Sequence, residues 1–128
     1  MPALSGLVSV TVDQATKAIG SRGRRRFNAT IVVGDGTNTY VTGGIPLVVG
    51  SKTVAQTFGL PRRLQVLNII GSAGTPPVMG ALFDATNQTL RLMHPTQQTG
   101  GAGNRDGVEY TNAEAPPAST FYAMIEGI

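Results

Sequence analysis

A short basic run holds the residues of this chain that are best suited to chemistry. Its four arginines are Arg22, Arg24, Arg25 and Arg26. A guanidinium group donates paired hydrogen bonds to carboxylates and phosphates, so the run is typical of an anion-binding segment or of a solvated basic loop. Residues 1–26 hold five basic residues and one acidic residue, a net charge of +4, whereas residues 27–128 carry −1. We therefore expect this segment to bind an acidic protein surface.

Nucleic acid is not favoured as the partner of the basic run. The chain has no Trp, and Phe27 is the only aromatic residue beside the run. Proteins that hold single strands combine basic grooves with aromatic side chains on which bases stack. Because the rest of the chain is not basic, a carboxylate-rich protein fits this composition better.

Four carboxylates and one histidine are the other candidates for catalysis or metal binding; they are Asp35, Asp84, Asp106, Glu109 and His94. Each carboxylate lies in or beside a predicted turn, where Asp commonly accepts hydrogen bonds from nearby backbone. The carboxylates lack the alternate spacing of a calcium loop, and His94 lacks the partners of a hydrolytic triad. We expect structural turn residues and a surface histidine, with no metal, no cofactor and no enzymatic activity.

The composition limits the class of protein further. A length of 128 residues predicts one folded unit. The chain has no cysteine, which excludes disulfides and thiolate metal sites. No apolar run approaches the roughly 20 residues of a membrane span, and the first residues lack a secretory signal pattern, so we expect no membrane partner. Charged residues are 13% of the chain, against about 25% in an average protein, which favours strands and turns.

Alternating apolar residues indicate the strands. The clearest set is Phe27, Ala29, Ile31 and Val33, followed by the turn residues Gly34, Asp35, Gly36 and Asn38. Further extended segments are expected at residues 7–13, 40–47, 62–71, 78–83, 89–93, 108–111 and 120–128, with one or two helical turns at residues 54–58. The near-continuous apolar run at residues 62–71 predicts a central strand buried on both faces, with Leu67 and Ile69 in the core.

These elements predict an all-β protein, a small β-sandwich or jelly-roll of about seven to eight short strands with an extended N-terminal arm. Residues 1–26 would form an N-terminal strand or arm and a basic loop, and residues 27–128 the β-sandwich domain. Residues 95–107 would form a polar, glycine-rich loop.

The N-terminal segment carries an apolar stripe of Val8, Val10 and Val12. A lone apolar strand needs a cover, which would be the chain's own sheet or a strand of a neighbouring subunit or capsid protein. We expect the segment to cross to a partner and to help hold a homodimer or homotrimer. The predicted partner-binding residues are therefore Val8, Val10, Val12, Arg22, Arg24, Arg25 and Arg26.

Several stretches resemble a small group of tailed-bacteriophage head proteins. They are Gly-Asp-Gly-Thr-Asn-Thr-Tyr-Val-Thr-Gly-Gly-Ile-Pro-Leu at residues 34–47, Phe-Gly-Leu-Pro at 58–61, Leu-Gln-Val-Leu-Asn-Ile-Ile at 64–70, the hairpin at 82–92 and the end at 115–125. The resemblance implies a capsid decoration (cement) protein, a β-sandwich bound in many copies outside the major capsid shell. The basic run and residues 95–107 have no counterpart in this resemblance.

The resemblance implies the following partners and location. The partners would be the major capsid protein and further copies of this chain on a symmetry or local symmetry axis. The location would be the capsid exterior of the virion, after synthesis in the host bacterial cytoplasm. A small receptor- or carbohydrate-binding β-sandwich knob on the virion surface is the alternative, and a hydrolase on a β scaffold is least favoured because no nucleophile–base set is visible.

Overall fold

The computed structural model describes residues 3–20, 23–73, 80–93, 109–112 and 114–128. Their strands are β1 (Ser9–Ile19), β2 (Arg25–Val33), β3 (Ile45–Pro46), β4 (Leu64–Ala73), β5 (Gly80–Asp84), β6 (Thr89–Met93) and β7 (Ser119–Gly127), and their helix is α1 (Val54–Phe58). The strands form a four-stranded sheet of order β1-β2-β7-β4 and a three-stranded sheet of order β3-β6-β5. Neighbouring strands within each sheet are antiparallel. The prediction of a small all-β sandwich is confirmed.

The core lies between the two sheets and begins with the alternation of β2. Phe27, Ala29, Ile31 and Val33 are all buried, as the sequence pattern predicts. Their neighbours on β7 continue the same layer, with Phe27 opposite Ile125 and Ile31 opposite Phe121. The second sheet contributes fully buried side chains from β3 and β6, namely Ile45, Leu90 and Leu92. Burial of these side chains between the sheets is the main stabilising term of the fold.

The turn after β2 carries the chain from the first sheet towards the second. Gly34 has φ +88°, and a Cβ atom at this position would lie 2.4 Å from the carbonyl oxygen of Pro117. The carboxylate of Asp35 accepts hydrogen bonds from the amides of Thr37 and Asn38 at 2.8 Å and 2.7 Å. These contacts confirm the predicted turn chemistry and require glycine at position 34.

Two further local predictions are confirmed. Helix α1 begins after Thr53, whose side chain accepts a hydrogen bond from the Gln56 amide, and ends at Gly59 in the left-handed conformation. Strands β5 and β6 form the predicted hairpin, in which Asp84 accepts hydrogen bonds from the Thr86 and Asn87 amides.

The prediction that residues 62–71 form a central strand buried on both faces is wrong. Strand β4 is an edge strand of the four-stranded sheet. Leu67 is buried and Ile69 is half-buried, whereas Val66 and Ile70 are 38% and 58% exposed. The reason is the strand order. The C-terminal strand β7 pairs with β2 on one side and β4 on the other, and thereby takes the central position.

The prediction of a loop between the N-terminal strand and residue 27 is also wrong for the described residues. Strand β1 continues through the expected loop to Ile19 and pairs with β2, so the expected boundary between residues 26 and 27 falls inside β2. The pairing of β1 with β2 is interrupted by a bulge between Asp13 and Ala18 and then continues. Within the bulge, the Thr16 hydroxyl accepts a hydrogen bond from the Asn28 amide of β2.

Strand β1 pairs with the chain's own β2, so this chain covers part of the apolar stripe, and the expected contact with a partner stays a prediction. Val10 and Val12 pack against the core, and Leu4 and Leu7 belong to it. Residues 4–13 are thus part of the sandwich and not a loosely tethered arm. Val8 differs, since it is 53% exposed.

Some predictions fall outside the described residues. They concern Arg22, His94, Asp106, the loop at residues 95–107 and the first part of the strand expected at residues 78–83. Of the strand expected at residues 108–111, Glu109 forms an isolated bridge with Met93.

Candidate functional site

Five arginines from two distant parts of the sequence meet at one end of the four-stranded sheet. Arg25 of β2 pairs with Gly127 of β7, and Gly127 pairs in turn with Leu64 of β4. Arg62 and Arg63 directly precede Leu64, so the same row of the sheet places them beside the basic run. We call the cluster of Arg24, Arg25, Arg26, Arg62, Arg63 and Glu126 the arginine end.

The backbone of Arg62 and Arg63 is fixed against the end of β7. Both amides donate to the carbonyl oxygen of Ile128, at 2.8 Å and 2.5 Å, and the Ile128 amide donates to the Arg63 carbonyl oxygen at 3.0 Å. This approach requires glycine at position 127, because a Cβ atom there would lie 2.5 Å from the Arg63 oxygen and 2.6 Å from Leu60. Hydrogen bonds to β7 therefore hold the backbone of both arginines in place.

Glu126 compensates part of the positive charge. Its carboxylate oxygens lie 3.0 Å from Arg24 Nη1 and 3.1 Å from Arg26 Nη2. Glu126 is buried, with 8% of its surface exposed, whereas both arginine side chains are more than half exposed. A buried carboxylate between two arginines holds their guanidinium groups in defined positions.

The other three arginines have no such carboxylate. Within the described part of the chain, Arg25, Arg62 and Arg63 form no ion pair. Arg25 and Arg62 line an open cavity of about 260 Å³ together with Gly23, Pro61 and Ile128. Arg25 and Arg62 are thus neighbours at the arginine end, beside the end of β7.

Exposed apolar side chains flank the arginine end. Ile19 pairs with Arg25 across β1 and β2 and is 65% exposed. On the other side, Val66 pairs with Glu126 across β4 and β7. A protein–protein interface commonly combines apolar side chains with arginine, so the composition of this end is typical of a docking surface.

Acidic groups lie at the opposite end of the sheet. Asp35 lies two residues after Val33, the last residue of β2, and the segment that contains Glu114 is nearby, because the Glu114 backbone carbonyl accepts a hydrogen bond from the Tyr40 amide. Hydrogen bonds from the Asn38 and Thr37 amides lower the pKa of Asp35, which keeps it charged. The charged Asp35 thus lies at the end of β2 opposite the arginine end.

Glu109 has a structural role in this region. Its carboxylate accepts hydrogen bonds from the Tyr40 hydroxyl at 2.6 Å and from the Gly43 amide at 2.9 Å. The Tyr40 hydroxyl also accepts from the Leu92 amide, and burial together with Glu109 raises the pKa of Tyr40 far above its usual value. The network joins the segment before β3 to β6. Glu109 therefore has structural contacts, but with distant residues and not within a local turn as we expected.

The predicted partner-binding residues divide into three groups. Arg24, Arg25 and Arg26 lie at the arginine end, Val8 is exposed directly before β1, and Val10 and Val12 are half-buried against the core. Arg22 lies outside the described residues. Their binding to a partner stays a prediction. Arg62 and Arg63 were not predicted as part of the cluster, although an arginine pair at the start of the strand expected at residues 62–71 was a visible signal.

The described residues contain no group of three or more His, Asp or Glu side chains placed to hold a metal ion. In the same part of the chain, no helix is both long and apolar enough to span a membrane. Comparison of the chain with protein-family models, with curated proteins and with solved structures gives no match.

Proposed function

We propose that this protein is a non-enzymatic structural protein that decorates the outside of a phage head and binds neighbouring major-capsid subunits through its arginine end. The observation that carries the proposal is the gathering of five arginines, two of them paired with Glu126, at one end of the four-stranded sheet. The resemblance of residues 34–47, 58–61 and 64–70 to phage head proteins supports the choice of a capsid as the acidic partner.

The chemistry of the surface agrees with a docking role. Arginine binds carboxylates through paired hydrogen bonds, and the exposed Ile19 and Val66 add apolar area beside the charges. A decoration protein is present in many copies on one shell. Each contact can therefore be weak, because the number of contacts multiplies their effect on the stability of the shell. Additional copies of this chain on a symmetry axis would multiply the contacts further.

A binding experiment with phage shells tests the proposal. Shells that lack the protein are mixed with it at about 50 mM and about 300 mM salt, and bound protein is measured after sedimentation. We expect saturable binding that weakens at high salt, because the Debye length shortens from about 14 Å to below 6 Å. The triple variant Arg24→Ser, Arg25→Ser and Arg26→Ser should bind less and lose most of its salt dependence.

Lys52→Ser is the control for an exposed positive charge outside the arginine end, although it removes one charge where the triple variant removes three. This variant should bind as the unchanged protein does. Equal binding of the triple variant and the control at both salt concentrations would refute the role of the arginine end. Binding to host glycans without any binding to shells would favour the receptor-binding alternative.

A further inference from the structure

Strands β4 and β7 carry an apolar patch on the outward face of the four-stranded sheet. Tyr122 and Met124 point outward, because the residues that alternate with them along β7 are buried in the core. Tyr122 is 42% exposed and Met124 is half-buried. On the neighbouring β4, Val66 is exposed, and so is Ile70 in the bulge beside Tyr122. The described residues leave these side chains open to solvent.

The Tyr122 ring is held against the backbone of β4. Gly71 pairs with Tyr122, and a Cβ atom at Gly71 would lie 3.5 Å from Tyr122 Cδ2. A ring that is already packed on its own sheet loses little conformational entropy when a partner covers it. Exposed tyrosines of this kind contribute strongly to protein–protein contacts.

Charge is sparse on this face. None of the ten residues of β4 is charged, and Glu126 is the charged residue of β7. Glu126 is paired with Arg24 and Arg26 at the arginine end. The middle of the face therefore suits an uncharged, partly apolar surface, and not the acidic surface that the arginine end would bind.

The edges of the sheet are less suited to a partner than its face. Strand β1 has a bulge between Asp13 and Ala18 and carries the charges of Asp13 and Lys17. The register of β4 shifts after Leu64 and again after Ile69. Bulges and charges on an edge strand oppose pairing with a further strand. We therefore expect a partner over the face and not along an edge.

We infer that this outward face is the contact surface of a homodimer, in which two copies of the chain pack face to face about a twofold axis. Each copy then presents the same uncharged patch to the other, as a twofold contact requires. The inference goes beyond the proposed function and does not depend on it, because it concerns the free protein.

The size of the face agrees with a stable dimer. Four strands about 4.8 Å apart, with about 3.3 Å per residue over nine residues, give a face of roughly 600 Å². Projecting side chains add to this flat area, so a contact over the whole face approaches the roughly 800 Å² per partner of a stable interface. The outward face of the three-stranded sheet is much smaller, since β5 and β6 have five residues each.

The arginine ends select the relative orientation of the two copies. A twofold axis along the strands would bring both arginine ends together, where like charges repel. An axis across the strands instead lays each strand antiparallel over its own copy and keeps the arginine ends about 30 Å apart, the length of a nine-residue strand. With the axis at the middle of β7, Tyr122 packs near Met124 of the second copy, and both arginine ends stay accessible.

Sedimentation equilibrium of the whole protein over a wide range of concentration tests the dimer. We expect an equilibrium between one and two copies. Ile70→Asp should weaken the dimer at least about tenfold, because it buries an unpaired charge in the contact, and Tyr122→Ser should do the same by removing the central ring. Leu82→Asp is the matched control, since it makes the same change at an equally exposed side chain on the three-stranded sheet, and it should leave the dimer unchanged. Circular dichroism checks that each variant is folded.

A spin label tests which face is covered. The chain has no cysteine, so a nitroxide can be attached at a single introduced one. Thr11→Cys places the label at the rim of the face, in the row of Thr30 and Tyr122. Labelled protein is mixed with unlabelled protein enriched in ¹⁵N, and the amides of β1 and β2 in the unlabelled copy should broaden. A label at Leu82→Cys should leave these amides sharp.

Four results would overturn the inference. They are a single copy at all concentrations, a closed trimer, equal weakening by Ile70→Asp and Leu82→Asp, and stronger broadening from the label at Leu82→Cys than from the label at Thr11→Cys. If the protein stays monomeric while Ile70→Asp loses binding to phage shells, the face contacts the capsid and not a second copy.

Discussion

Glu126→Gln is the substitution that best tests the electrostatics of the arginine end. The change removes the negative charge between Arg24 and Arg26 but keeps the size of the side chain. The Glu126 side chain is 11% exposed, whereas those of Arg24 and Arg26 are 57% and 65% exposed. The carboxylate is thus largely desolvated, and its two partners stay in contact with water.

The expected loss of stability follows from these exposures. An exposed ion pair contributes about 0.2–1 kcal/mol, and a hydrogen bond to a charged group contributes about 1.5–3 kcal/mol. Because solvent screens both guanidinium groups, the lower figures apply, and the two pairs together contribute about 1–2 kcal/mol. We expect Glu126→Gln to lower the free energy of unfolding by that amount.

Urea unfolding at about 50 mM and about 1 M salt measures the effect. The loss should be smaller at 1 M salt, where the Debye length is about 3 Å. In a chain that already carries Arg24→Gln and Arg26→Gln, Glu126→Gln should lower the free energy of unfolding much less, since both guanidinium partners of Glu126 are absent. A loss below about 0.3 kcal/mol at low salt would refute the two ion pairs, and an equal loss in both backgrounds would assign the effect to something other than the arginines.

The substitution should affect binding in the opposite direction. It raises the formal net charge from +3 to +4 and frees two guanidinium groups for a partner. If the arginine end docks on an acidic surface, Glu126→Gln should bind that surface more tightly at low salt and lose this advantage at about 1 M salt. Weaker binding at both salt concentrations would show that Glu126 itself contributes to the contact.

Two further predictions concern the sandwich. Leu67→Ala should lower the free energy of unfolding by about 2–4 kcal/mol, since Leu67 is buried. Val66→Ala on the exposed face of the same strand should lower it by less than about 1 kcal/mol. Equal losses in urea unfolding would contradict this orientation of β4. The pKa values of Asp35 and Asp84 are lowered by amide hydrogen bonds, chiefly from Asn38 and Asn87. Their stabilisation is present above the unfolded-state pKa near about 4 and is lost as the pH falls through the lowered values. The urea midpoint of the unchanged protein should fall between pH 6 and pH 2.5, and that of Asp35→Asn should fall by less. An equal fall in both proteins would contradict the contribution of Asp35.

The sequence by itself determined the local elements of this protein. The alternation over Phe27 and Ile31 specifies a half-buried strand, because successive side chains of a strand point to opposite faces. The turn at Gly34 and Asp35 and the ends of α1 at Thr53 and Gly59 follow from hydrogen bonds and φ values of residues close in the chain. Such interactions are visible in a short window of sequence.

Only the tertiary structure decided which strands are neighbours. An apolar run such as residues 64–70 is compatible with a central or an edge position, and its place depends on β7, which lies more than 45 residues further along the chain. The same pairing brings Arg62 and Arg63 to Arg25 and sets Glu126 between Arg24 and Arg26, 100 residues from the latter. Burial of apolar faces between two sheets selects this strand order, and no local pattern encodes it. The basic run was therefore visible in the sequence, whereas the cavity and its second arginine arose from the packing of the strands.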